Sequence, residues 1–323
     1  MLRSIKSYFL RPSRIEREVM RLQRMVETHR RETRLALAEL MLPHRSEWQP
    51  PIPFAGTPAQ NMFQGGALCR QDVFSQPYFH YWCNRICEPV RYHRKQWEFT
   101  FILQAAWERG LMVPGKRALG FGVGMEPLSA VFASHDVHVT ATDMSDDSMM
   151  ASGWQSTEQH ASGKAALRYE GICPHDVFER NVEFAVCDMN HIPEALNGYD
   201  FCWSSCALEH LGSIERGLAF IERSLECLRP GGWSIHTTEF NLSSNTETVD
   251  NYATVLFRRK DLEALFERLQ SQGHEIAPFD WTLGTQPLDQ YFDLPPYRAE
   301  PHLAAVLAGF KTTSIGLIVR KAL

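Results

Sequence analysis

The sequence holds no run of about 18 apolar residues, the length that a membrane-spanning helix requires. It holds no internal repeat and no low-complexity tract, which excludes solenoid arrays and compositional disorder. Residues 1–12 are basic but lack the continuous apolar stretch and small-residue cleavage site of a signal peptide, so a cytoplasmic location is expected. Paired cysteine spacing is also missing. Cys69, Cys83, Cys87, Cys173, Cys187, Cys202, Cys206 and Cys227 are scattered, several inside apolar runs, as reduced buried thiols are. His80, Cys83, Cys87 and His93 fit no common zinc spacing, and 80, 83 and 87 also fit one face of a helix, so no metal is expected. A basic body is lacking too. Residues 1–47 carry 11 Lys+Arg against 6 Asp+Glu, which leaves 22 against 32 for the remainder. An acidic body is a poor binder of phosphate backbones, so a nucleic-acid partner is not expected.

What is present divides into three parts. Residues 1–47 form a basic helical extension. Over 13–42, Ile15, Val19, Leu22, Val26, His29, Thr33, Ala36 and Leu40 alternate by four and three. This seam suits a short coiled coil, and so a homo-oligomer or a partner protein, or else a helix packed on its own domain. Ahead of it, Leu2, Ile5, Tyr8, Phe9 and Leu10 interleave with Arg3, Lys6 and Arg11, a stub able to rest on an anionic membrane face. Residues 48–112 begin as a proline-rich linker, five prolines lying between 43 and 60, and continue as a helical cap with a strongly apolar segment at 97–112. Arg91, His93, Arg94 and Lys95 precede that segment as a basic cluster, either a solvated helix start or a contact for an anionic substrate group.

Residues 113–323 alternate short apolar strands with helices. Strands are expected at 117–121, 137–142, 182–187, 200–204, 233–240, 275–281 and 313–320, and helices at 213–228 and 261–272. This alternation predicts an α/β domain with a mostly parallel sheet. The first strand runs into Gly120-Phe121-Gly122-Val123-Gly124, followed by Glu126 and Pro127, where a helix can begin. Asp143, followed by Met144, ends the next strand, where a carboxylate can accept two ribose hydroxyls. Asp188 and Met189 end the third, in place for an adenine edge and face. The dinucleotide fingerprint G-x-G-x-x-G is absent in either register, because Met125 and Pro127 stand where its last glycine belongs. This disfavours a nicotinamide oxidoreductase.

The G-x-G-x-G pattern resembles motif I of class I S-adenosylmethionine-dependent methyltransferases. Further segments match in the family's order: Cys187-Asp188-Met189, the fourth strand 199–205 ending in Ser205, Leu208-Glu209-His210-Leu211, and Leu228-Arg229-Pro230-Gly231-Gly232. The likeness spans about residues 95–323. It implies a Rossmann-like fold of seven strands in the order 3-2-1-4-5-7-6 and S-adenosylmethionine as cofactor. It also implies a cofactor site at Gly120, Gly122, Gly124, Asp143, Met144, Asp188, Met189 and Ser205. The family's acid two residues before the first glycine is missing, since Ala118 stands there. Glu126 either replaces it or only caps the helix it begins.

Transfer from a sulfonium needs alignment above all, and a base only where the acceptor loses a proton. His210 with Glu209, and Glu239 after the fifth strand, are the candidate groups; otherwise Glu209 pairs with the following helix and His210 packs on the cofactor. Asp293-Leu294-Pro295-Pro296-Tyr297 echoes the tetrad of adenine-amino methyltransferases. It lies far from the fourth strand, where that tetrad belongs, and reads as lid. The function expected is methylation of a small molecule or glycan, with transfer to oxygen as in bacterial surface-sugar pathways; a non-catalytic scaffold on the same fold is the alternative.

Overall fold

In the computed structural model, the described residues are 14–42, 57–58, 65–144 and 163–323. The basic stub at 1–12 and most of the proline-rich linker lie outside them. The chain divides into two compact units, 1–45 and 46–323. The first unit contains helix α1, Arg14–Met41. Its seam residues Ile15, Val19, Leu22 and Val26 are all exposed. No described helix is long and apolar enough to cross a membrane.

The second unit is built on one sheet. Strands β2 (Arg117–Phe121), β3 (His138–Asp143), β4 (Val182–Val186), β5 (Tyr199–Ser205) and β6 (Leu228–Asn241) are mutually parallel in the order β4-β3-β2-β5-β6. The long strand β10 (Phe310–Arg320) then joins β6 in antiparallel register, with Ile315 opposite Thr238. Strands covered on both faces become continuously buried, as β5 is along its whole length. The order β4-β3-β2-β5-β6, with β10 antiparallel beside β6, is a Rossmann-like α/β arrangement.

Among the described residues the sheet has ten strands where seven were expected. The difference lies at one edge. The expected strand over 275–281 is broken into β7 (Glu275–Ile276), which pairs with β10, and β8 (Phe279–Asp280), which does not. Between them enters β1 (Gly66–Leu68), which bonds to β10 on one side and to β8 on the other. Strand β9 (Ala304–Leu307) folds back on the start of β10. The outer edge of β10 is thus shared by three short strands, and its row of backbone groups is satisfied piecewise.

Two helices of the cap precede β2: α2 (Pro77–Arg85) and α3 (Arg94–Glu108). Helix α3 is buried from Gln96 to Ala106 and packs on β10, β6 and β5. A helix buried all round must satisfy its polar side chains internally. Gln104 Oε1 accepts from Trp82 Nε1 at 2.7 Å, and Gln96 Nε2 donates to the Pro89 carbonyl at 2.9 Å. The helix expected over 213–228 is observed at Ile214–Glu226, capped by Ser213, whose hydroxyl accepts from Arg216 N. The following helix is observed at Arg259–Ser271.

Candidate active site

The strand order reverses between β2 and β5: β3 and β4 lie to one side, β6 and β10 to the other. Ligands of open α/β sheets bind at such a switch point, beyond the carboxyl ends of the strands. A cavity of about 350 Å³ opens there. The glycine loop and Glu126 line it together with Asp143, Met144, Met189 and Ser205, and with Lys95, Phe99, Cys206 and His210.

The loop after β2 is shaped by two glycines in left-handed conformation, Gly122 at φ +57° and Gly124 at φ +49°. A Cβ on Gly122 would stand 2.9 Å from Ala207 Cβ and 3.2 Å from the Met189 sulfur. The bare backbone is therefore what keeps this part of the cavity open. Gly124 N donates to Asp143 Oδ2 at 3.0 Å and Met144 N to Oδ1 at 2.8 Å, so the loop and the end of β3 are locked together. Gly120 is not among the residues that line the cavity. A Cβ there would come within 2.4 Å of the Trp203 ring, so its place is in packing.

Glu126 is 4% exposed, and its Oε1 accepts from Trp203 Nε1 at 2.6 Å. Burial pushes this carboxyl up to about 8, against the pull of the Lys95 ammonium and the indole N–H; Asp143 and Glu98 add to the rise. Asp188 points elsewhere. Its oxygens accept from Asn190 N and His191 Nδ1, both at 2.8 Å, and it is not among the residues lining the cavity, although Cys187 and Met189 on either side of it are. Burial opposes its ionisation, but the His191 and Asn190 bonds outweigh that and lower its pKa.

On the other side of the loop lies a dense polar cluster. Lys95 Nζ donates to the Ser205 carbonyl at 2.9 Å and stands 3.2 Å from both Ser205 Oγ and Glu98 Oε2. Glu98 is 1% exposed and accepts also from Ser314 Oγ at 2.5 Å and from the Cys206 thiol at 2.9 Å. Cys206 sits at φ +48°, a strained conformation for a side-chain-bearing residue, directly after β5. Glu239 is held by the fork of Arg94, with Nη1 at 2.6 Å from Oε2 and Nη2 on Oε1, and by Thr312 Oγ1 at 2.5 Å. Both of its oxygens are committed, and it does not line the cavity.

Glu209 and His210 occupy the short turn Leu208–His210. Glu209 is 1% exposed and accepts from Thr238 Oγ1 at 3.0 Å. Burial, with Glu239 and Glu98 nearby, pushes it up to about 8. His210 lines the cavity. Its Nδ1 lies 3.0 Å from the Ala253 carbonyl, which can only accept, so the proton is assigned to Nδ1. Its Nε2 stands 3.9 Å from Glu209 Oε1. Burial pushes its pKa down to about 4, partly countered by the Ala253 carbonyl, so the ring is neutral near pH 7.

Sequence reasoning left Glu98, Cys206 and Trp203 without a role, and read Arg94 and Lys95 only as part of a basic cluster. The signal for Glu98 is an acid inside a strongly apolar helix, a placement that needs a partner. His80, Cys83, Cys87 and His93 do not gather: His80 bonds the Phe74 carbonyl, Cys87 the Gly171 carbonyl, and His93 Nδ1 accepts from Lys95 N. Among the described residues, Cys206, Glu209 and Glu239 do offer ligand atoms within 4.8 Å of one another. Arg94 and the Cys206–Glu98 bond already use two of those groups. In the lid segment, Asp293 pairs with His302 at 2.8 Å and Tyr297 Oη donates to the Val306 carbonyl, both away from the cavity.

Residues 119–236 match the family described as a methyltransferase domain. No curated protein matches the chain. Three solved structures illustrate the wider likeness. A protein described as a sarcosine dimethylglycine methyltransferase from Galdieria sulphuraria is 13% identical, over 76% of this chain and 97% of that one, with a TM-score of 0.45. Magnesium protoporphyrin IX methyltransferase from Synechocystis PCC 6803, with S-adenosylhomocysteine bound, is 14% identical over 78% and 98%, with a TM-score of 0.41. A SAM-dependent methyltransferase from Methanosarcina mazei is 14% identical over 67% and 96%, with a TM-score of 0.39. No substrate follows from likenesses of this size. Residues 119–236 thus carry a methyltransferase domain. The cavity suits S-adenosylmethionine: a side-chain-free cradle at Gly122, an apolar floor at Met189, and carboxyl groups at Asp143 and Glu126 toward which polar and cationic parts can turn.

Proposed function

We propose that this methyltransferase acts on a hydroxyl oxygen of a small molecule or glycan, with His210 as the proton acceptor. The observation that carries the reading is His210 itself: a neutral ring lining the cavity, with Nδ1–H engaged by the Ala253 carbonyl and Nε2 on the side of Glu209, 3.9 Å from its Oε1. Bound S-adenosylmethionine supplies the electrophilic methyl group together with its own leaving group. The chain then has to hold, align and exclude water. Asp143 would receive the ribose hydroxyls, and Met144 and Met189, which line the same cavity, would hold the adenine. A hydroxyl set against Nε2 loses its proton to the ring as the new bond forms. The imidazolium charge is answered by Glu209 at 3.9 Å, which a neighbouring cation draws toward its carboxylate form. Leu208-Glu209-His210-Leu211 and the Glu239 strand end resemble members that act in bacterial surface-sugar pathways, which supports sugar hydroxyls as the acceptor class.

Residues 1–47 serve in this reading as an assembly or address segment of a cytoplasmic enzyme, through self-association or contact with the membrane's inner face. The central test is a labelled-methyl screen over hydroxyl, amine and carboxylate acceptors, followed by His210→Ala on the best hydroxyl substrate. The variant should lose 10²-fold or more, about the share of a positioned base, with unchanged thermal stability. Full activity in the variant, or transfer to amines alone, overturns the assignment.

A further inference from the structure

We propose that Lys95 and Glu126 form a two-point clamp for the α-amino-acid head of the cofactor, Glu126 taking the ammonium and Lys95 the carboxylate. The inference rests on the methyltransferase reading and adds to it a residue of the helical cap, outside the matched domain. Both side chains line the same cavity, one beside the glycine loop and one at the start of α3. Both are anchored to β5: Glu126 through the Trp203 indole, Lys95 through the Ser205 carbonyl and hydroxyl. Trp203 and Ser205 are two apart on one strand, so they lie on the same face, about 7 Å apart along it. An acid and a base mounted on that face line one cavity, and a zwitterionic head, whose ammonium draws the buried carboxyl toward its charged form, is the ligand chemistry that matches both.

The partners of each group point the same way. Glu126 is buried with one neutral donor on Oε1, and a buried carboxyl gains most from a cation that completes its bonding. Lys95 pairs with Glu98, yet Glu98 keeps Ser314, Cys206 and Ser205 as donors when the ammonium turns toward a ligand. Each of the two also lies in the other's field. The acid missing at Ala118 is thereby replaced from the far side of the loop. Helix α3, read from the sequence as part of a helical cap, becomes part of the cofactor end of the cavity.

Calorimetric titration of the full chain with S-adenosylhomocysteine, which has the head, and with 5′-methylthioadenosine, which lacks it, tests the clamp. Lys95→Met should weaken S-adenosylhomocysteine about tenfold or more, the scale of a lost charged hydrogen bond, and leave methylthioadenosine within about twofold. Lys95→Arg, which keeps the charge, should recover most of that loss, and Glu126→Gln should repeat the selective effect. Methylthioadenosine is the internal control for a disturbed fold: equal losses for both ligands mean a structural effect and overturn the clamp. So does undiminished binding of S-adenosylhomocysteine to Lys95→Met. Equal wild-type affinity for the two ligands also refutes it while the cofactor reading stands. If the wild-type chain binds neither ligand, the cofactor reading itself falls and the clamp falls with it.

Discussion

Glu239 shows how a residue's neighbours decide its role. By position at the end of β6 it is placed to act as a base. Its carboxylate, however, is bracketed by the Arg94 guanidinium and the Thr312 hydroxyl, the carboxylate buried and the guanidinium half-buried. A base so committed would have to release a paired cation before taking a proton. The pair fastens the start of α3 to the sheet, which is a matter of stability. Removing one charge of a buried pair strands the other, at a cost of about 3 kcal/mol or more. Glu239→Gln is therefore expected to lower the unfolding free energy by that order in urea denaturation. A variant as stable as the wild type would show that the pair is not fastening the helix. Glu126 and Glu209 contrast with it: burial holds each near its neutral form, ready to respond to an arriving charge.

At the scale of elements, strands and helices whose burial follows from local pattern were legible, and those that depend on a distant segment were not. The strand at 117–121, the glycine loop, the acid at 143 and the helix from Ile214 follow from periodicity and turn chemistry alone. The break of the 275–281 strand does not, because it is β1, more than 200 residues earlier in the chain, that takes the place beside β10. The polar cluster was illegible for the same reason: Lys95 and Glu98 on α3, Cys206 after β5 and Ser314 on β10 meet only through packing. Asp188 was placed by strand-end logic, whereas its carboxylate turns into its own loop. Helix α1 carries a pattern of another kind. Taking Ile15 and Leu22 as d positions makes Val19 and Val26 a positions, the arrangement that favours two parallel strands. An antiparallel pair would set the g-position acids Glu18, Glu32 and Glu39 against one another. Deleting residues 1–47 should reduce a dimer to a monomer in analytical ultracentrifugation and leave S-adenosylhomocysteine affinity unchanged. An unaltered mass after deletion would remove self-association from the role of this helix.

The buried titratable groups of the whole molecule set opposing limits on its stability. Burial holds His93 and His236 down to about 3, and His135 and His210 down to about 4, from an ordinary value of 6.5. Between pH 4 and 6.5 the unfolded chain therefore binds protons at four sites that the folded chain keeps neutral, and this favours unfolding as the pH falls. Glu126 and Glu209 act in the other direction. Their folded-state values of about 8 stand above the ordinary 4.5, so the folded chain keeps two protons that the unfolded chain releases. Each unmatched proton changes stability by about 1.4 kcal/mol per pH unit. Below pH 6.5 the four histidines outnumber the two acids and stability rises with pH. Above it only the acids remain and stability falls until they ionise near pH 8. The ligand-free protein should thus melt at its highest temperature near pH 6.5, lose stability on both sides, and flatten on the alkaline side in a Glu126→Gln, Glu209→Gln variant. S-adenosylhomocysteine, by offering an ammonium to Glu126, should raise the melting temperature more at pH 8 than at pH 6. Thermal melts from pH 4 to 9 with and without that ligand decide the matter: a transition that keeps rising from pH 6.5 to 8 in the ligand-free protein would mean that the two acids are not held neutral in the fold.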